Sequence, residues 1–239
     1  MKTSLFFLLA AAALVLTACT SAPSSSAAAD STPEPVPAVE SAATSEASGP
    51  AEESAAPADL YAGYVQDFPD AGTMARPVET DDNRTLTLEC ALNNEIDQLI
   101  YDYYRNELLG DLDASLALVG DTESFRMTVE NTVKAVQAGE GCQSYTLHGM
   151  RILTPEEVQT AGQNDLDLIA REVADSGLTQ WTVQAVDLSW TYTEAEQAKG
   201  PQLDEGQYRR YFLLGKTDEA DSWKIYDFFW ETFLPEDAA

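Results

Sequence analysis

An aspartate and a tyrosine four positions apart, together with the single histidine of the chain, could support acid–base chemistry. Asp97 and Tyr101 fall one turn apart in a predicted helix, and Tyr104 continues the same stripe, so the three side chains share a face. His148 falls in a predicted strand. Aspartate, tyrosine and histidine are all side chains that transfer protons in enzymes. We therefore take Asp97, Tyr101, Tyr104 and His148 as the candidate lining of a pocket, with no catalytic role assigned to any one of them.

The sequence carries none of the common motifs for nucleophilic, nucleotide or metal chemistry. It has no G-x-S-x-G nucleophile elbow. The glycines at 139 and 141 are followed by Cys142 rather than by the lysine of a phosphate-binding loop. The acidic residues at 111 and 113 lack the rest of a calcium loop, and two cysteines with one histidine do not make a zinc site. We therefore predict neither a metal nor a cofactor.

Two of the three cysteines lie in the predicted folded region, at Cys90 and Cys142. They could form a disulfide, because an exported domain meets an oxidising or at least non-cytosolic environment. They could equally be two small buried side chains, since free cysteine behaves as a small hydrophobe. The sequence leaves both alternatives open.

The third cysteine, Cys19, ends a short apolar segment at the N-terminus. Lys2 precedes an apolar run of 12 residues, from 5 to 16. This run suits a signal peptide and is too short for a transmembrane helix, which needs about 20 residues. The sequence Leu16-Thr17-Ala18-Cys19 resembles the lipobox of bacterial prolipoproteins. That resemblance implies removal of residues 1–18, lipidation of Cys19, and a position at the extracytoplasmic face of the cell membrane, held there by acyl chains.

Residues 19–59 read as the lipidated cysteine followed by a disordered linker. Residues 20–59 contain 12 Ala, 9 Ser and 6 Pro, with seven acidic residues and no basic one. Such a composition cannot bury enough apolar surface to offset its conformational entropy. A flexible chain of this length spans roughly 35 Å, so we expect it to carry the folded domain away from the membrane.

The charge of the chain excludes one class of partner. The full sequence has 13 basic and 41 acidic residues, a net charge of −28. A surface of this sign repels phosphate backbones, so nucleic acid is not expected as a partner. The acidity could serve solubility and self-repulsion at a cell surface, or it could attract a cationic partner or a loosely bound divalent ion.

The apolar spacing from residue 86 onward predicts helices first and strands later. The predicted helices cover residues 86–109, 111–119, 122–138 and, with a break near Gly162, 154–175. The predicted strands cover residues 143–153, 178–193, 207–216 and 223–233. A one-position slip in the apolar phase of the second strand predicts a β-bulge. This order favours an α+β fold, with helices packed on one face of a curved antiparallel sheet of about four strands. Residues 60–85 read as an irregular arm, and 86–239 as the domain.

Three local features carry a resemblance to a known superfold. They are a long first helix ending at a Gly-Asp step, the segment Leu-Asp-Ala-Ser-Leu at 112–116, and a final strand beginning Asp-Ser-Trp-Lys-Ile-Tyr at 221. Together they resemble the nuclear transport factor 2-like, or cystatin-like, superfold over residues 86–234. The resemblance implies a cone-shaped cavity between a curved sheet and the first helix. The chain departs from that pattern, because it lacks a hairpin between the second and third helices and has a helical insertion after the first strand.

Three functions remain open on the sequence alone, since a superfold does not determine function. The first is a non-enzymatic module that binds a small ligand or an envelope protein. The second is an enzyme that uses the cavity for acid–base chemistry, and the third is a structural component of the envelope. Four tryptophans, at 181, 190, 223 and 230, could fill the core or form a stacking surface. Convergence of Asp97, Tyr101 and His148 in one pocket would favour the enzyme, and a wide apolar patch would favour a protein partner.

Overall fold

The computed structural model of the protein describes residues 60–70, 75, 78, 80 and 82–230. The predicted signal peptide, Cys19 and the predicted linker lie outside the described residues, as does the C-terminal end of the last predicted strand. The described helices are α1 Glu95–Leu108, α2 Leu112–Ala117, α3 Glu123–Gln137, α4 Pro155–Val158, α5 Gln163–Asp175 and α6 Glu194–Lys199. The described strands are β1 Thr85–Leu88, β2 Cys142–Ile152, β3 Gln180–Tyr192, β4 Gly206–Lys216 and β5 Lys224–Trp230.

The strands form one five-stranded sheet in the order β1-β2-β3-β4-β5. β1 pairs with β2 in parallel, and each of the other neighbours pairs antiparallel. The α+β class, with helices packing against a sheet, is confirmed. The prediction of a purely antiparallel sheet of about four strands is wrong, because the sheet is mixed and has five strands.

The additional strand, β1, accounts for the wrong start that was predicted for the first helix. Residues 85–88 read Thr-Leu-Thr-Leu and alternate between more and less exposed positions, as a strand does. Asn94 caps α1, since its Oδ1 accepts hydrogen bonds from the backbone N–H groups of Ile96 and Asp97. The helix therefore begins at Glu95 rather than at residue 86, and the apolar residues before the cap belong to the strand and its connection.

Helices α1 to α3 cover one face of the sheet, called here the helix face. Ile100 of α1 and Val129 of α3 belong to a buried cluster with Leu188 of β3 and Phe212 of β4. Because side chains alternate along a strand, the residues between these positions point to the opposite face. The helix face therefore holds the core that the first three helices were predicted to cover.

The opposite face, called here the outer face, is partly covered by α4, α5 and the segment 60–64. Val183 and Leu213 pack there with Ile169 of α5 in a second buried cluster. Tyr64 belongs to the same region, since its hydroxyl donates to the carbonyl of Leu153 at 2.6 Å. The expectation of helices on one face only is therefore corrected, because the inserted helices cover part of the other face.

Two-sided burial also explains the apolar phase slip in the third strand. The register of β3 against β4 runs without interruption from Gln180 to Trp190. Trp181 and Val183 face the outer cluster, while Val186 and Leu188 face the helix-face cluster. The predicted bulge in this strand is wrong; the register shifts lie instead in the pairing of β2 with β3 and of β4 with β5.

Candidate functional site

A cavity of about 350 Å³ opens between the helices and the helix face of the sheet. We call it the aromatic cavity, because Tyr103, Tyr145, Trp190, Tyr192, Phe228 and Trp230 line it. Polar residues complete the lining: Thr128, Asn131 and Thr132 from α3, Glu107 from α1, Glu196 from α6, and Arg210 from β4. Its volume lies in the range of sites that hold small molecules.

Strand alternation in β4 places one of two consecutive arginines inside this cavity. Arg209 faces the outer side of the sheet and forms a two-bond ion pair with Asp187. Arg210 faces the helices, where Phe212 also lies. Two adjacent residues of the same type therefore have different environments, since the side chains of a strand alternate between its faces.

Arg210 is a buried cation with few partners, being only 9% exposed. Its guanidinium carbon lies 4.1 Å from the ring centroid of Trp230 and 4.4 Å from that of Phe228. Nη1 donates to the hydroxyl of Tyr104 at 3.2 Å, whereas Nε has no acceptor. Among the residues that the structure describes, no carboxylate oxygen lies within 4.0 Å of this guanidinium. Arg210 therefore combines aromatic stacking with unused hydrogen-bond donors.

The indole of Trp190 forms the neighbouring part of the wall. Its ring centroid lies 5.7 Å from that of Trp230, and Tyr208 stacks on it at 4.3 Å. Trp190 Nε1 is buried and forms no hydrogen bond of normal geometry within the described part of the chain, with the hydroxyl of Tyr192 among its polar neighbours. Buried indole N–H groups usually have a partner. The cavity thus has a second unpaired donor in addition to those of Arg210.

Glu107 contributes a carboxyl group to the cavity from α1, in addition to that of Glu196 from α6. The hydroxyl of Tyr145 donates to Glu107 Oε1 at 2.5 Å. Burial raises the pKa of Glu107, and this effect outweighs the opposing hydrogen bond from Tyr145 and the positive charge of Arg210. Glu107 consequently holds its proton to a higher pH than an exposed glutamate does.

The four residues predicted to line a pocket lie in different places. Asp97 is buried and structural, because it accepts hydrogen bonds from Gln184 Nε2 at 2.6 Å and from the backbone N–H of Asn93 at 2.8 Å. Tyr101 is buried in the helix-face core. Tyr104 is buried in the same core and does not line the aromatic cavity, but its hydroxyl accepts a hydrogen bond from Arg210, which does.

His148 lies on the outer face, where it bridges two polar side chains. Its Nδ1 lies 2.7 Å from Glu89 Oε2, and its Nε2 lies 2.9 Å from Ser189 Oγ. The order serine, histidine, glutamate is that of a proton relay. The group does not line the aromatic cavity, and the Glu89 side chain is 55% exposed to water. Asp97, Tyr101 and His148 therefore do not converge in one pocket.

The two cysteines of the domain lie beside β2, at positions far apart along the direction of that strand. Cys142 pairs with Tyr192 at one end of the strand, while Cys90 Sγ contacts the carbonyl of Leu147, five residues further along. A strand rises about 3.3 Å per residue, so roughly 16 Å separates the two positions, whereas bridged cysteines have Cα atoms within about 7 Å. The structure therefore contains two separate free thiols rather than a disulfide.

The sequence did not predict Glu107, Tyr145 or Arg210, which supply three of the polar groups that line the cavity. The arginine pair at 209 and 210 within an alternating strand was a usable signal, because one member of such a pair must face inward. The tryptophans divide between the two predicted roles. Trp181 and Trp223 are buried in the cores, whereas Trp190 and Trp230 line the cavity.

Within the described residues, no group of three or more histidine, cysteine, aspartate or glutamate residues is arranged to hold a metal ion. No helix in the same part of the chain has the length and apolar character needed to cross a bilayer. No family model, curated protein or solved structure matches the chain. The function is therefore argued from the geometry of the site.

Proposed function

We propose that this chain is a bacterial lipoprotein, anchored through Cys19 at the extracytoplasmic face of the cell membrane, whose α+β domain binds a small ligand without transforming it. The signal-peptide pattern and lipobox support the anchor, and the composition of residues 20–59 supports a spacer. The aromatic cavity supports the binding role, and its position between helices and sheet fits the cavity of the nuclear transport factor 2-like superfold.

One observation carries the binding proposal, namely the incompletely paired guanidinium of Arg210 inside the aromatic cavity. Burying a charge is costly unless other groups pair with it. A core position without a binding role would be more stable with an apolar side chain of similar volume. A buried arginine with unused donors is therefore expected where a ligand completes the set of partners.

The alternatives receive less support. The enzyme hypothesis depended on Asp97, Tyr101 and His148 meeting in one pocket, and His148 lies on the opposite face of the sheet from the other two. The protein-binding hypothesis depended on a wide apolar patch. Of the described residues, only Met127 and Leu203 are large hydrophobic side chains with high exposure, at 58% and 40%. A small ligand is thus favoured over an apolar docking surface, and the net charge still disfavours nucleic acid.

The proposal is tested by filling the cavity. Thr132 lines it from α3, so Thr132→Trp places a bulky side chain inside. The full chain is isolated in detergent from its own cell envelope and analysed by native mass spectrometry. We expect a small molecule to accompany the wild type and to be at least tenfold depleted in the variant.

Met127→Trp is the matched control, because it adds the same side chain at an exposed position of the same helix. It should retain the small molecule at the wild-type level. Equal occupancy in the wild type and Thr132→Trp would contradict binding in the aromatic cavity. Co-purification of a protein in place of a small molecule would favour the envelope-protein alternative.

A further inference from the structure

We infer that the ligand of the aromatic cavity is a monoanionic carboxylate carried on a planar apolar body. This inference rests on the proposed binding function and adds the chemical class of the ligand. It is carried by the charge and unused donors of Arg210, by the second donor on Trp190, and by the aromatic rings around both groups.

The guanidinium of Arg210 forms fewer hydrogen bonds than its N–H groups allow. A guanidinium has five N–H donors, and only one hydrogen bond, to Tyr104, is present among the described residues. The second buried arginine provides a comparison within the same chain. Arg84 donates to the carbonyls of Cys142, Val136 and Glu140 and pairs with Asp82. A buried arginine in this protein can therefore be fully engaged, and Arg210 is not.

The unused donors of Arg210 and Trp190 determine which chemical groups the ligand must supply. The unused groups of Arg210 and the Nε1 of Trp190 are all donors, so the ligand must supply acceptors. The guanidinium is also positively charged, and no carboxylate oxygen of the described residues lies within 4.0 Å of it, so an anionic acceptor is favoured. A carboxylate matches the planar fork of a guanidinium and forms two parallel hydrogen bonds with it.

Both donors belong to the lining of the aromatic cavity. The ring of Trp230 contacts both residues, since its centroid lies 5.7 Å from the centroid of the Trp190 ring and 4.1 Å from the guanidinium carbon of Arg210. We expect the acceptor group of the ligand to bind beside that ring. The flat faces of the surrounding rings favour a planar apolar body, since aromatic groups stack in offset or edge-to-face arrangements.

Negative charge in the cavity and on the whole chain limits the charge that the ligand can carry. Glu107 lines the same cavity, and the whole chain has a net charge of −28. A dianion such as a phosphate monoester would meet stronger repulsion from these groups than a monoanion does. The Glu107 carboxyl can also donate a hydrogen bond to an anion when it is protonated. The site therefore suits one negative charge.

The test compares an acid with its neutral isostere. Binding of 2-naphthoate and 2-naphthamide to the detergent-solubilised full chain is measured by calorimetry and by quenching of tryptophan fluorescence. We expect 2-naphthoate to bind at least about tenfold more tightly than the amide, which corresponds to about 1.4 kcal/mol. Phenyl phosphate, the dianionic probe, should bind more weakly than 2-naphthoate.

Two variants assign the preference to named donors. Arg210→Gln should reduce the preference for the acid to within about twofold, and Trp190→Phe should weaken naphthoate binding by roughly threefold to tenfold while keeping a ring in the wall. Arg209→Gln is the matched control, because the neighbouring arginine faces the outer side of the sheet. It should leave the preference unchanged. If Arg210→Gln does not fold, as judged by circular dichroism, Trp190→Phe decides the question.

Each result separates the ligand class from the binding function. Equal binding of the acid and the amide to the wild type would overturn the carboxylate inference and leave the cavity as a binding site. A preference for the acid that survives in Arg210→Gln would also overturn it, as would unchanged binding of 2-naphthoate to Trp190→Phe or tighter binding of phenyl phosphate. Failure of every probe to bind, with equal native occupancy in wild type and Thr132→Trp, would overturn the proposed function as well.

Discussion

The buried charged residues of this domain differ in how completely their neighbours satisfy them. Arg84 is enclosed by backbone carbonyls, which makes it part of the scaffold. Asp97 is satisfied in the same way by Gln184 and a backbone amide. Arg210 and Glu107 lie among aromatic side chains in the aromatic cavity, and each can form further hydrogen bonds. The extent to which neighbours pair with each charged group, rather than residue type, thus separates the structural residues from those proposed to bind a ligand.

The raised pKa of Glu107 predicts a specific pH dependence of stability. The folded state keeps this carboxyl protonated at pH values where the unfolded chain, with an ordinary value of 4.5, has lost the proton. The folded state then binds more protons, so the contribution of Glu107 to the free energy of unfolding decreases as pH rises above about 4.5. Glu107→Gln removes this decrease. Urea denaturation between about pH 4 and 8 should show the variant gaining stability relative to the wild type as pH rises.

Glu219→Gln serves as the control for this measurement, because Glu219 lies in the exposed turn between β4 and β5. Its stability difference from the wild type should stay nearly constant over the same range. A flat difference for Glu107→Gln would contradict the raised pKa of the buried carboxyl.

At the scale of elements, the edge of the sheet is held by a contact that joins segments distant in sequence. Arg84, just before β1, binds the carbonyls of Val136 at the end of α3, of Glu140 in the following turn, and of Cys142 at the start of β2. This contact fixes the position at which the parallel strand joins the sheet. It also holds the end of α3, the helix that forms one wall of the aromatic cavity.

Replacing Arg84 should therefore destabilise the fold strongly. Arg84→Met keeps the length and apolar stem of the side chain but removes every donor, which leaves buried carbonyls unpaired. We expect a loss of about 3 kcal/mol in the free energy of unfolding. The measurement is urea denaturation followed by circular dichroism. Arg171→Met, at an exposed position of α5, should change the same quantity by less than about 0.5 kcal/mol. Similar losses for both variants would contradict the role of Arg84.

At the scale of the whole molecule, the proposed arrangement is a lipid anchor, a spacer and a binding domain. The anchor depends on one residue, because the apolar run of residues 5–16 is removed with the signal peptide in this proposal. Acyl chains on Cys19 would then supply the attachment to the membrane. The acidic spacer would keep the domain accessible to small molecules outside the cell.

Cys19→Ser tests this arrangement in cells. The substitution removes the thiol that would carry the lipid, so metabolic labelling with palmitate should be abolished. Cys90→Ser, which changes a thiol of the domain, should be labelled like the wild type. Labelling that persists in Cys19→Ser would refute lipidation at this residue.

Local patterns in the sequence were sufficient for several elements. The helix at Glu123–Gln137 and the start of α4 were predicted, the latter because Thr154 and Glu157 form a capping box. β1 was missed, because its leucines continue the spacing of the following helix, and the cap at Asn94 marks the boundary only once the hydrogen bonds are known. Helix α3 and the start of α4 are set by interactions between residues that are close in sequence. A sequence pattern can report such interactions.

The sequence by itself therefore determined the charge of the molecule, its α+β class and the motif on which the proposal of a lipid anchor rests. Only the tertiary structure decided which residues meet in the aromatic cavity. Alternation along β4 predicts that Arg209 and Arg210 point to opposite faces, but not which face lies beneath α1 and α3. That choice depends on strand register and on the packing of helices distant in sequence, which together bring Glu107, Trp190 and Arg210 around one space.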